Sequence, residues 1–121
     1  MNLSITGHHI TVTEALEQTV KEKLAKPLRH FDQIQSIQVI LSRDHHHSEA
    51  VHAGAKAYHA EAILRVSGQE MFVKATEDDM YKAIGEMADM LTRQVRKHKT
   101  RLERRHQGDK RADLMALAAE G

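Results

Sequence analysis

Apolar and polar residues alternate along four stretches of the chain, and this period of two predicts four β-strands. The strands are predicted at residues 2–6, 34–43, 58–67 and 70–76. The first strand is expected to stop at Gly7. The last two are separated by a Gly-Gln turn and should form a hairpin.

A second pattern repeats every three or four residues and predicts an α-helix between residues 14 and 31. Thr11 and Thr13 are alternative N-caps for this helix, because either could accept a hydrogen bond from the first turn. Pro27 lies late in the pattern, where it should kink the helix or loosen its last turn.

A long second helix is predicted from about Asp78 to Arg105, with Thr76 or Glu77 leading into it. Stepping about 100° per residue from Ile84 gathers its apolar positions on one side, which predicts a continuous buried stripe. The stripe contains Met80, Ile84, Met87, Ala88, Leu91, Val95, His98 and Leu102.

The order of these elements predicts an α+β fold. A strand-helix-strand start implies a right-handed parallel crossover, after which the remaining strands continue as a meander. The prediction is a two-layer β-α-β-β-β-α domain with a four-stranded mixed sheet and both helices on one face. This domain should span residues 1–105, and residues 106–121 should be a short, largely disordered tail.

Composition excludes several classes of protein. A chain of 121 residues fits one modest core, and the absence of cysteine excludes disulfides and thiolate chemistry. No stretch resembles a signal peptide or is long enough to span a membrane, so a soluble cytoplasmic protein is expected. With two Phe, two Tyr and no Trp, any binding of nucleic acid should depend on charge and shape rather than on stacking.

Positive charge is concentrated near the end of the second helix. Residues 93–105 contain seven Lys or Arg and one acidic residue. Residues 1–92 contain nine Lys or Arg and thirteen acidic residues. The cations lie opposite the apolar stripe, or at its borders. An ordinary solvated face that complements the helix dipole is the alternative, but a dipole needs only one or two cations in the last turn. We therefore favour a polyanionic partner.

Other candidate sites are weaker. Residues 44–56 contain His45, His46 and His47 and are predicted to be a long mobile connection. Three consecutive histidines lack the spacing of a built metal site, so we expect neither a metal nor a cofactor. Cations of the first helix, which alternate with glutamates, are interpreted as an ordinary solvated face, with an accessory role in binding as the alternative; they are Lys21, Lys23, Lys26 and Arg29.

Two other functions are alternatives to polyanion binding. An enzyme is disfavoured, because the chain contains no Gly-rich phosphate loop, Gly-x-Ser-x-Gly elbow or His-Glu-x-x-His pattern. A protein-interaction module is the alternative of another class, with Ile40, Ile63 and Phe72 as a small apolar patch on the open face of the sheet.

Five blocks of sequence, in order over about residues 1–105, resemble the bacterial ribosome hibernation-promoting factors. The blocks are Ile5-Thr6-Gly7 with Thr13-Glu14-Ala15-Leu16, Tyr58-His59-Ala60-Glu61-Ala62, Asp79-Met80-Tyr81-Lys82-Ala83-Ile84, and Arg93-Gln94-Val95-Arg96-Lys97-His98-Lys99. The resemblance implies a fold similar in outline to double-stranded RNA-binding domains and no enzymatic activity. It also implies binding to the small ribosomal subunit between head and body, where mRNA and tRNA lie, and silencing of translation when growth stops.

The resemblance also implies which side chains contact ribosomal RNA. The expected phosphate contacts are Lys82, Arg93, Arg96, Lys97, Lys99 and Arg101, extended by Arg104 and Arg105. Tyr81 is interpreted first as a packing residue at the start of the helix and second as an RNA contact. Two positions depart from the family pattern. Met90 stands where many relatives carry a basic residue, and Gly85 stands where an acidic residue is common.

In length the chain resembles the short forms of this family, and it is expected to be one of them. Some short forms help a separate ribosome modulation factor to pair ribosomes into inactive dimers, and this type is the one expected here. The related inhibitor, which keeps ribosomes monomeric, is the alternative. The expected partners are small-subunit rRNA and the modulation factor, with no membrane and no small-molecule substrate.

Overall fold

The six elements predicted from the pattern are present in the predicted order. The computed structural model describes residues 2–29, 33–44 and 56–120, with side chains to residue 102. The strands are β1 (Asn2–His8), β2 (Ile34–Arg43), β3 (Tyr58–Val66) and β4 (Gln69–Glu77), and the helices are α1 (Glu14–Arg29) and α2 (Met80–Glu120). Phe31 and residues 45–55 of the predicted connection at 44–56 lie outside the described residues.

The four strands form one sheet in the order β1-β2-β3-β4. β1 pairs with β2 in parallel, placing Leu3 beside Ile37, and the other two pairings are antiparallel. The predicted mixed sheet, with a meander after the crossover, is therefore confirmed. Asp44 N donates to Ala57 O at 2.9 Å and closes the base of the β2–β3 connection.

A single apolar core lies between one face of the sheet and the two helices. Alternate residues of the strands point into it, for example Val39, Ala62 and Val73, which are cross-strand neighbours. Leu16, Val20 and Leu24 of α1 belong to the same buried cluster as the inner face of α2, so both helices cover one sheet face as predicted. α2 packs on β3 and β4 and against α1.

Capping side chains fix where each helix begins. Thr13 Oγ1 accepts a hydrogen bond from Leu16 N at 3.2 Å, so Thr13 rather than Thr11 is the N-cap of α1. Asp79 Oδ2 accepts one from Lys82 N at 3.1 Å and caps α2. The helix begins at Met80, two residues later than the predicted start near Asp78, because β4 continues to Glu77.

Gly7 lies inside β1 and does not end it, contrary to the prediction. The strand continues to His8, and the chain then folds back so that the Ile10 carbonyl oxygen occupies the space that a Cβ on Gly7 would need. A side chain cannot fit there, so glycine is required by close approach of the backbone. His9 completes the reversal with a left-handed φ of 59°.

The far end of α2 differs from the prediction in two ways. The helix continues to Glu120 rather than ending near Arg105, consistent with a sequence there that has one glycine and no proline. The division at residue 105 stays a prediction. The buried stripe is confirmed from Met80 to Val95, but His98 is only half-buried and Leu102 is 38% exposed.

The stripe ends because the sheet ends beneath it. His98 and Arg101 line a cleft with Gln69, the first residue of β4, so α2 has reached the β3–β4 turn at this point. Leu102 lies one helical turn beyond His98 and is not part of the core cluster of the described residues.

Leu91→Ala should lower the free energy of unfolding by roughly 2 to 5 kcal/mol, because Leu91 is fully buried and its truncation leaves a cavity. Leu102→Ala on the same helix should change it by about 0.5 kcal/mol or less. Urea denaturation of both variants measures the difference. Equal losses would contradict the end of the buried stripe after Val95.

Candidate nucleic-acid interface

Five exposed cations on α2 make no ion pair within 4.0 Å in the described part of the chain. They are called the α2 cation set and consist of Arg93, Arg96, Lys97, Lys99 and Arg101. Several cations elsewhere are paired, as in Lys21–Glu17 at 3.1 Å and Arg65–Glu70 at 2.8 Å. Because none of these five cations has an ion-pair partner among the described residues, the α2 cation set projects net positive charge into solvent.

Three other predicted contact residues differ from this set. Lys82 Nζ lies 3.2 Å from Asp78 Oδ1, so its charge is already partly offset. It also lies eleven residues before Arg93, a rise of about 16 Å along the helix. Arg104 and Arg105 continue the helix backbone, and their side chains lie outside the described ones. The structure therefore brings five of the eight predicted residues together.

A groove between α1 and α2 adds two cations that the sequence analysis did not place in the site. Lys23 and Lys26 of α1 line the same groove as Arg93 and Arg96 of α2. Both lysines are exposed, and neither has an ion pair among the described residues. Their spacing puts them near one side of α1, but only the packing of the helices shows that this side borders the basic end of α2.

The other end of this groove is acidic. Glu77, Asp79, Glu86 and Asp89 line it together with Lys82. A hydrogen bond with the Glu77 carboxyl, loss of solvent and repulsion by the Glu77 charge raise the pKa of Glu86, and Lys56 and Arg93 oppose this change. The groove is therefore polarised. The end formed by the later residues of α2 is positive and would attract a polyanion, whereas the other end is acidic.

A second cleft lies on the opposite side of α2, beside the β3–β4 hairpin. It is lined by Lys97, His98 and Arg101 together with Gln94, Gln69 and Met71. Gln94 Nε2 donates to the Phe72 carbonyl oxygen at 3.2 Å, which ties the helix to the edge strand β4 at the point where the cations begin.

Three further sequence positions have clear surroundings. Tyr81 is 47% exposed and lines the α1–α2 groove, so its interpretation as a packing residue was wrong. Its role as an RNA contact stays a prediction. Met90 packs against the core, and a Cβ on Gly85 would meet nothing within 4 Å. The space around position 85 would therefore accept a side chain, so crowding does not explain why this chain has glycine there.

The open face of the sheet carries the proposed apolar patch. Ile63 and Phe72 are cross-strand neighbours, and Phe72 is 54% exposed. Ile40 is half-buried. The surrounding charges are paired, with Lys74 Nζ 3.5 Å from Glu61 Oε1. This face is thus close to neutral, unlike the face that carries the α2 cation set, and its role as an interaction surface stays a prediction.

Within residues 2–29, 33–44 and 56–120, no group of three His, Asp or Glu side chains is arranged to hold a metal ion. The histidines at 45–47 lie outside these ranges. No described helix is both long enough and apolar enough to cross a membrane.

Comparison with known proteins places the chain in a family. Residues 3–103 match the family described as Sigma 54 modulation protein / S30EA ribosomal protein. The ribosome hibernation promoting factor of Azotobacter vinelandii is 41% identical over 113 residues, which cover 93% of this chain and 96% of that protein. The protein of the same name from Escherichia coli K12 is 37% identical over 103 residues, which cover 85% of this chain and 98% of that protein.

Solved structures share the fold. A ribosomal subunit interface protein from Coxiella burnetii superposes with a TM-score of 0.66 at 25% identity, covering 83% of this chain and 99% of that one. The N-terminal domain of Protein Y from Thermus thermophilus superposes with a TM-score of 0.65 at 28% identity, covering 81% of this chain and 99% of that one.

Glu86→Gln should raise the thermal unfolding midpoint near pH 7 and leave it almost unchanged near pH 4. A carboxyl whose pKa is raised on folding binds protons more readily in the folded state, so wild-type stability falls as pH rises above the ordinary Glu pKa of 4.5. Glutamine removes the charge that repels Glu77. Thermal melts between pH 4 and pH 8 measure the effect, and a pH-independent difference would contradict the carboxyl pair.

Proposed function

This chain belongs to the family described as Sigma 54 modulation protein / S30EA ribosomal protein, and we propose that it is a ribosome hibernation factor. The family consists of ribosome-associated, non-enzymatic regulators. The proposed action is occlusion: the domain occupies the mRNA and tRNA channel of the small subunit, where it binds rRNA and blocks translation in non-growing cells. It performs no bond chemistry.

The α2 cation set is the observation that carries this proposal. Five exposed cations without ion pairs in the described part of the chain lie on a helix whose other side is fixed in the core. Phosphate groups would supply the missing counter-charges, and release of their condensed counterions would drive binding. Arginine adds directed hydrogen bonds to phosphate oxygens.

Lys23 and Lys26 extend the proposed contact surface onto α1, because they share a groove with Arg93 and Arg96. Lys82 is a weaker contact in this proposal, since Asp78 already offsets its charge. Arg104 and Arg105 lie further along the helix and would lengthen the surface.

Promotion of inactive ribosome dimers, with a ribosome modulation factor as partner, is the form of hibernation that we propose. The shared name of the curated relatives, ribosome hibernation promoting factor, supports it over the inhibitor that keeps ribosomes monomeric. Sedimentation of ribosomes with this protein, with and without the modulation factor, separates the two. A shift to dimers supports promotion, and persistent monomers support inhibition.

Replacing Arg93, Arg96 and Lys97 together by Gln should abolish comigration with small subunits at moderate salt. At about 1 kcal/mol for each lost contact, affinity should fall on the order of a hundredfold. The slope of log affinity against log salt should become shallower by roughly 2 to 3. Sucrose-gradient sedimentation at several salt concentrations measures both quantities.

The matched control removes three cations that the structure shows in surface ion pairs, by Lys21→Gln, Lys56→Gln and Arg65→Gln. Net charge changes equally, but binding should stay close to wild type. If both variants lost binding equally, the change in net charge, and not the position of the cations, would account for the effect. Salt-insensitive binding that is lost on Phe72→Ser would instead support the rival interaction surface on the open sheet face.

Lys23→Gln with Lys26→Gln should weaken small-subunit binding several-fold and lower the salt slope by roughly 1 to 2, because these side chains border the basic end of the groove. Lys21→Gln is the control on the same helix, since Lys21 is paired with Glu17. Wild-type affinity in the double variant would restrict the contact surface to α2.

A further inference from the structure

The α1–α2 groove is large enough for a small molecule, with a volume of about 940 Å³. One of its walls follows residues of α2 that are one helical turn apart, namely Tyr81, Gly85, Asp89 and Arg93. Residues at this spacing are neighbours on one side of a helix. The wall therefore presents an aromatic ring, a gap, a carboxylate and a guanidinium in that order, with a rise of about 6 Å between successive positions.

The aromatic ring and the gap together suit a flat ligand ring. Tyr81 is 47% exposed, so its ring is accessible from the groove. A Cβ on Gly85 would meet nothing within 4 Å, which leaves open space one turn further along the helix. Thr19 of α1 also lines the groove. Since nucleobases stack on aromatic side chains through their π-faces, this space fits a nucleobase.

Carboxylates line the groove beside this space. The carboxyls of Glu77 and Glu86 lie close enough to hydrogen-bond each other. A carboxylate only accepts hydrogen bonds, and guanine presents two adjacent donors, N1–H and the N2 amino group, on its Watson–Crick edge. Adenine presents a single amino donor beside an acceptor nitrogen, which a carboxylate repels. The Asp89 carboxylate lies further along the groove, where it can accept hydrogen bonds from ribose hydroxyls.

Cations line the groove where the phosphates of such a nucleotide would lie. Arg93 is eight residues after Gly85, a rise of about 12 Å along α2. The other cations that line this end are Arg96, Lys23 and Lys26. Guanidinium groups bind phosphate oxygens through two parallel hydrogen bonds, and lysines add positive charge. The groove thus provides partners for a base, a ribose and a polyphosphate in the order in which a nucleotide carries them.

We propose that the α1–α2 groove binds a guanine nucleoside polyphosphate, which competes with rRNA for the cations at the basic end of the groove. The competition rests on the proposed function, whereas binding of the nucleotide to the protein alone does not. Guanine lies over Gly85 against Tyr81, and ribose lies beside Asp89. The phosphates lie between the lysines of α1 and Arg93, so an occupied groove binds the small subunit less tightly.

Isothermal titration calorimetry of the protein alone with GTP, ATP and inorganic tripolyphosphate, at one fixed salt concentration, tests the site. GTP should bind about tenfold more tightly than either of the others, because stacking and the two donors of guanine add to the phosphate contacts. Equal affinities for GTP and tripolyphosphate would overturn the proposal, since the cations alone would account for binding. Equal affinities for GTP and ATP would overturn it as well, as would no binding of GTP.

Gly85→Leu fills the gap and keeps every cation. Leucine favours a helix more than glycine does, and the space around position 85 is open, so the variant should fold. Its GTP affinity should fall about tenfold, whereas its affinity for tripolyphosphate should stay unchanged. Tyr81→Ala should have the same two effects, because it removes the stacking ring. Wild-type GTP affinity in both variants would contradict the proposed position of the base.

Sedimentation of small subunits with the protein on sucrose gradients tests the competition. GTP should release the wild-type protein at concentrations that leave Gly85→Leu bound. Equal release of both proteins, or release of neither, would overturn the competition. Failure of the wild-type protein to comigrate at low salt without nucleotide would instead overturn the proposed function, and the calorimetric result would still decide whether the groove binds the nucleotide.

Discussion

Burial of one side of α2 against the sheet is the interaction on which the rest of the structure depends. Ile84, Met87, Leu91 and Val95 are fully buried over β3 and β4, where the apolar area removed from water stabilises the fold. The same contacts fix how the helix is rotated about its axis. Because the apolar side must face the sheet, the cations must face outward, so one packing constraint both holds the domain together and orients the proposed binding surface.

The charge distribution opposes this stability locally and favours binding. Placing five exposed cations on one helix, with no ion pair to any of them among the described residues, brings like charges close together, and their mutual repulsion is only screened by salt. The acidic residues lie instead at the N-terminal end of the groove, where Glu86 and Glu77 repel each other. The domain keeps a nearly neutral total charge and still presents a strongly polar surface to a polyanion.

The elements were predictable because the apolar period differs between strands and helices. Alternation located β2, β3 and β4 to within a few residues, and the repeat of three to four residues located the buried part of α2. The predictions that failed depended on the neighbours of a residue. Tyr81 is apolar enough to be buried, and Leu102 has the right helical phase, yet both are exposed. Tyr81 lines the groove between α1 and α2, and Leu102 lies outside the core cluster of the described residues. The choice between Thr13 and Thr11 as N-cap likewise depended on the backbone path, which two acceptable capping residues do not specify.

The sequence by itself determined the order and type of the elements, the buried side of α2 and the concentration of cations on the opposite side. These follow from local periodicity, which relates each residue to the axis of its own helix or strand. Only the tertiary structure decided that Lys23 and Lys26 face Arg93 and Arg96 across a groove, and that Lys97 and Arg101 face the β3–β4 hairpin. The apolar period of one helix does not specify which surface of another element lies next to it, because that arrangement depends on how the elements pack around the shared core.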